Sequence, residues 1–273
     1  MSRPPPKSNF RDLAASGPAV RRLSVLALAA AVLLVYGQTV FHSFHFDDRA
    51  AVVGKGARSG TAPGYGALFR EWPTRFITTL SFRGNRSLGG ERPALYHLVN
   101  LLLHLANTLL VFSLLSASVT GGRSPSPEGL PLLGALVFAL HPVQTQPVAY
   151  VSQRAVLLAA LFYLGGLRAY ARGVREGRSS WVVLAWLSGA AAMFCKELSA
   201  TFPLALLLWE AVFLPGRPGR GRRRALFLPL LLVVPLVVAL HPGHPKYNDS
   251  GQVSFWSGVP PANPPGETPV LPR

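Results

Sequence analysis

The stretch LSVLALAAAVLLVYGQTVFHSFHFDDR, residues 23–49, decides the fold. Residues 23–41 carry no charge, and as a helix they reach about the thickness of a bilayer core. Directly beyond this run come His42, His45 and the adjacent carboxylates Asp47 and Asp48. An acidic pair placed just past a membrane exit is costly near lipid, so it needs either a solvated turn or a use. The same types of residue at a water-facing mouth suit a membrane-embedded transferase.

Working outward, the composition supports the membrane reading. The chain is 49% hydrophobic and 14% charged, whereas soluble domains carry about 25% charged residues. Mean hydropathy is +0.32. The net charge of +16 does not call for a nucleic acid partner, because the basic residues sit mostly in loops between apolar runs, as the positive-inside bias requires. Such loops can also touch anionic lipid headgroups. The single cysteine, Cys195, excludes an internal disulfide and a CxxC site. It reads as a small core residue.

Residues 1–22 read as a basic cytoplasmic tail, with Arg3, Lys7, Arg11, Arg21 and Arg22. The apolar run after them is longer than a signal-peptide core and is followed by no small-x-small cleavage site, so it reads as an uncleaved first helix. Residues 42–93 then form a long outer loop, glycine-rich at first. From 65 to 82 aromatic and apolar residues mix with Arg70, Arg75 and the following Arg83, which suits a short helix lying in the headgroup plane. Further spanning helices are expected at about 95–115, 131–140, 155–170, 181–195, 198–214 and 225–240. The arginine-rich segments at 168–178 and 217–224 mark cytoplasmic loops. The fold expected is thus all-α and polytopic, with about seven transmembrane helices in a domain over 23–241. A Pro/Gly-rich outer tail, 242–273, is expected to be mostly irregular.

This topology puts Asp47 and Asp48, the polar hinge at 141–154 and the pair Lys196 and Glu197 on one side, although none of them was used to set it. Pro142 and Pro147 break helical hydrogen bonding in the hinge. Broken backbone at membrane depth must be buried or line a cavity.

The candidate site residues follow. Asp47 and Asp48 can act as a base or hold a divalent ion, or simply form a solvated turn. His42 and His45 have ligand chemistry, but an interfacial role is the plainer one, and no metal site is assigned. His97, Asn100, His104 and Asn107 share an arc of about 80° on one helix. Such a stripe either makes interhelical hydrogen bonds or lines a polar cavity. His141 and Gln144 belong to the hinge. Arg154 suits a lipid-linked phosphate or, alternatively, snorkels to headgroups. Lys196 and Glu197 read as an ion pair at a helix junction or as part of the same phosphate site. No G-x-S-x-G context surrounds Ser188 to suggest a serine hydrolase.

Several short motifs occur together and in order over about residues 40–210. They are Phe-Asp-Asp at 46–48, Thr-Thr-Leu-Ser-Phe-Arg at 78–83, Leu-Gly-Gly at 88–90, Tyr-His-Leu-Val-Asn-Leu-Leu-Leu-His at 96–104, Phe-Ala-Leu-His-Pro-Val-Gln-Thr at 138–145, Ala-Tyr-Val-Ser-Gln-Arg at 149–154 and Lys-Glu at 196–197. In them the chain resembles the transmembrane O-mannosyltransferases with C-terminal tetratricopeptide repeats, and their bacterial relatives. The resemblance implies a C-type glycosyltransferase fold that takes a mannose-like sugar from a polyprenyl-phosphate donor. It implies a protein Ser/Thr hydroxyl as acceptor on the outer face, with Asp47 and Asp48 catalytic. Arg154, Lys196, Glu197, His97, Asn100, His141 and Gln144 become the candidate substrate-binding set. No cofactor is implied beyond a possible divalent ion. The membrane implied is a bacterial inner membrane with the site facing the periplasm, or the endoplasmic reticulum in a eukaryote.

The pattern departs from the family at Gln146, Pro147 and Val156, and the repeats are not in this sequence, which reads as a truncated or split gene product. An inactive member that binds lipid phosphate or acts as a scaffold is therefore the alternative. A small-solute transporter is disfavoured by the lack of an inverted hydropathy repeat.

Overall fold

The computed structural model describes residues 18–53, 64–71, 73–120, 129–213 and 232. All regular structure among these residues is helical. The first apolar run forms α1 (Pro18–Tyr36) and tightens into a 3-10 turn, Gly37–Phe41. The segment after it contains three short helices: α2 (Asp48–Val53), α3 (Tyr65–Glu71) and α4 (Phe76–Gly89). The helix expected at 65–82 is thus two helices, α3 and α4, with a 3-10 turn at Pro73–Arg75 between them. Proline lacks the N–H that would continue the first.

Next come α5 (Pro93–Thr120) and α6 (Leu130–Leu140), which stops at His141-Pro142. A 3-10 turn (Pro142–Gln144), the short α7 (Thr145–Ala149) and a second 3-10 turn (Val151–Gln153) make up the hinge. The chain continues through α8 (Arg154–Glu176), α9 (Ser179–Met193), a 3-10 turn (Glu197–Thr201) and α10 (Phe202–Phe213). The expected seventh helix and tail lie outside the described residues, Leu232 excepted, as do residues 1–17.

Among the described residues three stretches are long and apolar enough to cross a membrane: Pro18–Phe41, Pro93–Ser118 and Val151–Glu176. Leu130–Leu140 and Ser179–Met193 are shorter apolar helices. The protein is a polytopic, all-α membrane protein. Leu23, Leu26 and Leu34 on α1 and Leu133 and Val137 on α6 are exposed, which in a bilayer places them against lipid. Helix α8 runs past the expected end near residue 170 because its polar last turn is still good helix. Arg172 and Glu176 pair across one turn at 2.6 Å, and Gly177 closes the helix at φ +67°.

Helix α5 is central, touching α1, α6 and α8. One core forms where Val32, Tyr36, Leu101, Ala139 and Val148 meet. A second gathers Leu114, Leu167, Tyr170, Ala185, Met193 and Phe202. Among the described residues α8 and α9 pack against each other most extensively, and Gly173 permits their close approach. A Cβ there would lie 2.9 Å from the Trp181 Cβ and 3.1 Å from the Val182 backbone nitrogen. Neither atom can swing aside, so Gly173→Ala must separate the helices, at about 1–3 kcal/mol. Gly165 is the control, because a Cβ there meets nothing within 4 Å. A lower melting temperature in detergent for Gly173→Ala, with Gly165→Ala unchanged, is the expected result.

Candidate functional site

The acidic turn is built by local backbone hydrogen bonds. The Asp48 N–H donates to the His45 carbonyl at 2.9 Å, and the His45 N–H donates to Asp48 Oδ2 at 3.1 Å. Closing so tight a turn forces Phe46 to φ +45°, an uncommon conformation for a bulky residue. Its ring is 93% exposed and stands edge-on to Tyr150 at 6.2 Å.

The two aspartates separate sharply in environment. Asp48 is fully buried. Its second oxygen, Oδ1, accepts the Ser152 N–H at 2.8 Å, so both oxygens are held by backbone donors. Asp47 is exposed. The Tyr150 hydroxyl donates to Asp47 Oδ2 at 3.1 Å and lies 3.3 Å from the Asp47 N–H, which donates to it. One short piece of hinge, residues 150–152, therefore grips both carboxylates from more than a hundred residues away.

The hinge is in turn shaped by α5. Breaking a helix leaves carbonyls without their usual donors, and in a membrane these must be met by protein. Asn100 Nδ2 donates to the Pro147 carbonyl at 3.4 Å, and Asn107 Nδ2 to the Leu157 carbonyl at 3.0 Å. His104 Nε2 lies 3.0 Å from the Ala139 carbonyl. The polar stripe thus makes interhelical hydrogen bonds, the plainer of its two readings. His97 is also fully buried, with its ring 6.1 Å from that of His42. His141 accepts the Val143 N–H on Nδ1 at 3.2 Å, and its carbonyl accepts the Tyr36 hydroxyl at 3.4 Å. It acts as a cap on the 3-10 turn. Gln144 is partly exposed; its N–H donates to the His141 carbonyl at 2.9 Å, and among the described residues its side chain has no hydrogen-bond partner.

Arg154 sits differently from either sequence-based reading. Its side chain is fully buried, neither snorkelling nor facing an open phosphate site. Nε donates to Asn100 Oδ1 at 2.9 Å, Nη2 to the Tyr96 carbonyl at 3.0 Å and Nη1 to the Ser81 carbonyl at 3.4 Å. The guanidinium lies over the rings of Phe82 at 4.6 Å and Tyr96 at 5.5 Å. The planar fork of arginine matches several fixed acceptors at once, and the π faces supply the negative potential a buried cation needs. Arg154 ties α8 to α5 and α4.

Lys196 and Glu197 are not in contact with the aspartates. They face the start of α4, where the Thr78 hydroxyl donates to the Cys195 carbonyl at 3.2 Å and the Ile77 N–H to the Phe194 carbonyl at 3.2 Å. Glu197 pairs with Arg75 at 3.7 Å, both half-exposed. Lys196 instead borders a groove of about 330 Å³, lined chiefly by Phe138, Val156, Ala160, Tyr163, Leu164 and Leu198. Burial and the neighbouring Arg75 lower the Lys196 pKa, and Glu197 partly opposes this. Among the described residues no three His, Cys, Asp or Glu side chains are grouped to hold a metal ion.

Tyr150 and Ser152 are the site residues that sequence reading did not single out. The available signals were their place in the hinge and in the Ala-Tyr-Val-Ser-Gln-Arg stretch at 149–154, neither of which assigns a role to a phenol or a backbone N–H.

A broken hinge beside an acidic turn, held together by a polar helix within a bundle, defines a multi-pass membrane protein with a constructed polar site. Comparison with known proteins shows what the chain is similar to. The chain is 33% identical over 205 residues to human protein O-mannosyl-transferase TMTC4, covering 64% of this chain and 27% of that protein. It is 34% identical over 206 residues to Drosophila melanogaster protein O-mannosyl-transferase Tmtc1, covering 71% and 23%. With human protein O-mannosyl-transferase TMTC1 the identity is 28% over 280 residues, covering 90% and 31%. The chain is a homologue of the TMTC protein O-mannosyl-transferases. It spans about a quarter of the length of these relatives. No protein-family model matches it, and neither does any solved structure.

Proposed function

We propose that the chain forms the donor and catalytic region of a membrane glycosyltransferase. It moves a mannose-like sugar from a polyprenyl-phosphate donor to a protein Ser/Thr hydroxyl, on the outer or luminal face. The reading rests on one observation above the others: the exposed Asp47 carboxylate, fixed by a hinge that is itself fixed by α5. The acceptor oxygen attacks the anomeric carbon. The bond from that carbon to the phosphate oxygen breaks, polyprenyl phosphate leaves, and the hydroxyl proton passes to Asp47. The side facing this chemistry is the periplasm in a bacterium and the lumen of the endoplasmic reticulum in a eukaryote.

The groove beside Lys196 suits the donor, because apolar walls take an isoprenoid chain and the ammonium meets its phosphate. Val156, where family members often carry an acid, lines this groove and keeps it apolar. That observation also suits the second reading, a non-catalytic lipid-phosphate binder.

Transfer of labelled mannose from mannosyl-phosphoryl polyprenol to a Ser/Thr peptide, by protein purified in detergent, tests the first reading. Donor binding without any transfer establishes the second. In either case Lys196→Met should weaken donor binding about tenfold, the scale of one charge-assisted contact. Because its pKa is lowered, Lys196 loses its proton at lower pH than an ordinary lysine. Donor binding should therefore fall earlier on the alkaline side, and Lys196→Arg should flatten that fall.

A further inference from the structure

The two hydrogen bonds between Tyr150 and Asp47 do more than close a loop. The hydroxyl receives the Asp47 N–H and gives its proton to Oδ2 of the same residue. A side chain bonded to both the backbone and the carboxylate of one residue fixes the torsion between them. Asp47 is exposed, and an exposed carboxylate otherwise exchanges among staggered rotamers. Among the described residues nothing donates to Oδ1. The phenol therefore occupies one oxygen and leaves the other, with its lone pairs, open to an incoming hydroxyl.

The tyrosine is held in its turn. It lies in extended backbone between α7 and the 3-10 turn, its N–H donates to the Gln146 carbonyl at 3.1 Å, and its ring meets Phe46 edge-on. Two residues later Ser152 anchors the buried Asp48. The phenol is thus placed by the same backbone that fixes the turn.

We propose that Tyr150 is a positioning residue for Asp47. It presents Oδ1 towards the acceptor hydroxyl and holds Oδ2 out of the reaction. This inference rests on the transferase reading above. Misplacing a reacting group by a fraction of a rotamer well lowers the rate of the chemical step and leaves substrate affinity alone.

Tyr150→Phe keeps the ring against Phe46 and deletes both hydrogen bonds. In the transfer assay its kcat should fall about tenfold, with KM for donor and acceptor within about twofold of the unaltered protein. The melting temperature in detergent should not change, since both bonds are solvent-exposed. An unchanged kcat in Tyr150→Phe, with transfer abolished in Asp47→Asn, overturns the positioning role and leaves the transferase reading intact. A fall in kcat matched by a lower melting temperature assigns the tyrosine to structure alone and also overturns it. Absence of transfer by the unaltered protein, or full transfer by Asp47→Asn, removes the catalytic carboxylate and the inference together.

Discussion

Asp47→Asn should lower sugar transfer about a thousandfold, the range for loss of a positioned general base, and leave the protein folded. The exposed carboxylate supports no core contact. Its amide replacement still offers an oxygen to the Tyr150 hydroxyl, so the turn survives. Asp48→Asn should behave in the opposite way. The buried side chain receives N–H groups on both oxygens, and an amide can accept at only one of them. Its NH₂ would face a backbone donor with no water to separate them, a cost of about 1–3 kcal/mol. Asp48→Asn is therefore expected to melt earlier and to lose transfer through loss of the turn. Transfer kinetics and thermal melting of the two variants separate chemistry from scaffold. Equal melting with equal loss of transfer would mean that both carboxylates act directly.

The second large effect belongs to Arg154. Replacing it with Met keeps the bulk of the stem but leaves Asn100 Oδ1 without its guanidinium donor and removes the added donors to the Tyr96 and Ser81 carbonyls. It also removes the cation from the faces of Phe82 and Tyr96. The lost buried hydrogen bonds and a lost cation–π contact sum to roughly 3 kcal/mol or more. Arg154→Lys should be nearly as harmful, because an ammonium cannot match three acceptors spread over two helices. The expected result is a large drop in monodisperse protein after extraction, with a lower melting temperature in what remains. A variant that is stable and defective only in donor binding would restore the phosphate-binding role that the burial of Arg154 argues against.

Much of this was legible in the sequence because membranes simplify the reading. Apolar runs placed helices close to where they lie, and the proline pairs at 142 and 147 marked the hinge. The 80° arc of His97, Asn100, His104 and Asn107 marked a buried stripe. The errors have physical causes. Helix ends were misjudged where polar residues continue a helix, as Arg172 and Glu176 do in α8. Arg154 was read as facing phosphate because an arginine at a span boundary is usually wet. Its acceptors lie at residues 81, 96 and 100, and contacts so distant in sequence leave no local pattern. The different settings of Asp47 and Asp48 were invisible for the same reason. Adjacent carboxylates look alike in a sequence, and only their partners at 150–152, a phenol for one and a backbone N–H for the other, tell them apart.

The dependence of the hinge on α5 constrains how this region can diverge. Three side chains on one face of α5 serve carbonyls on three other segments, so the stripe behaves as a template with a fixed reading frame. A single inserted or deleted residue ahead of Asn100 would turn the whole stripe by about 100° and break all three contacts in one step. Point substitutions can be absorbed one bond at a time, whereas a change in length cannot. Length variation among natural forms of this region is therefore expected between helices, at segments such as 121–128, and absent from 93–107.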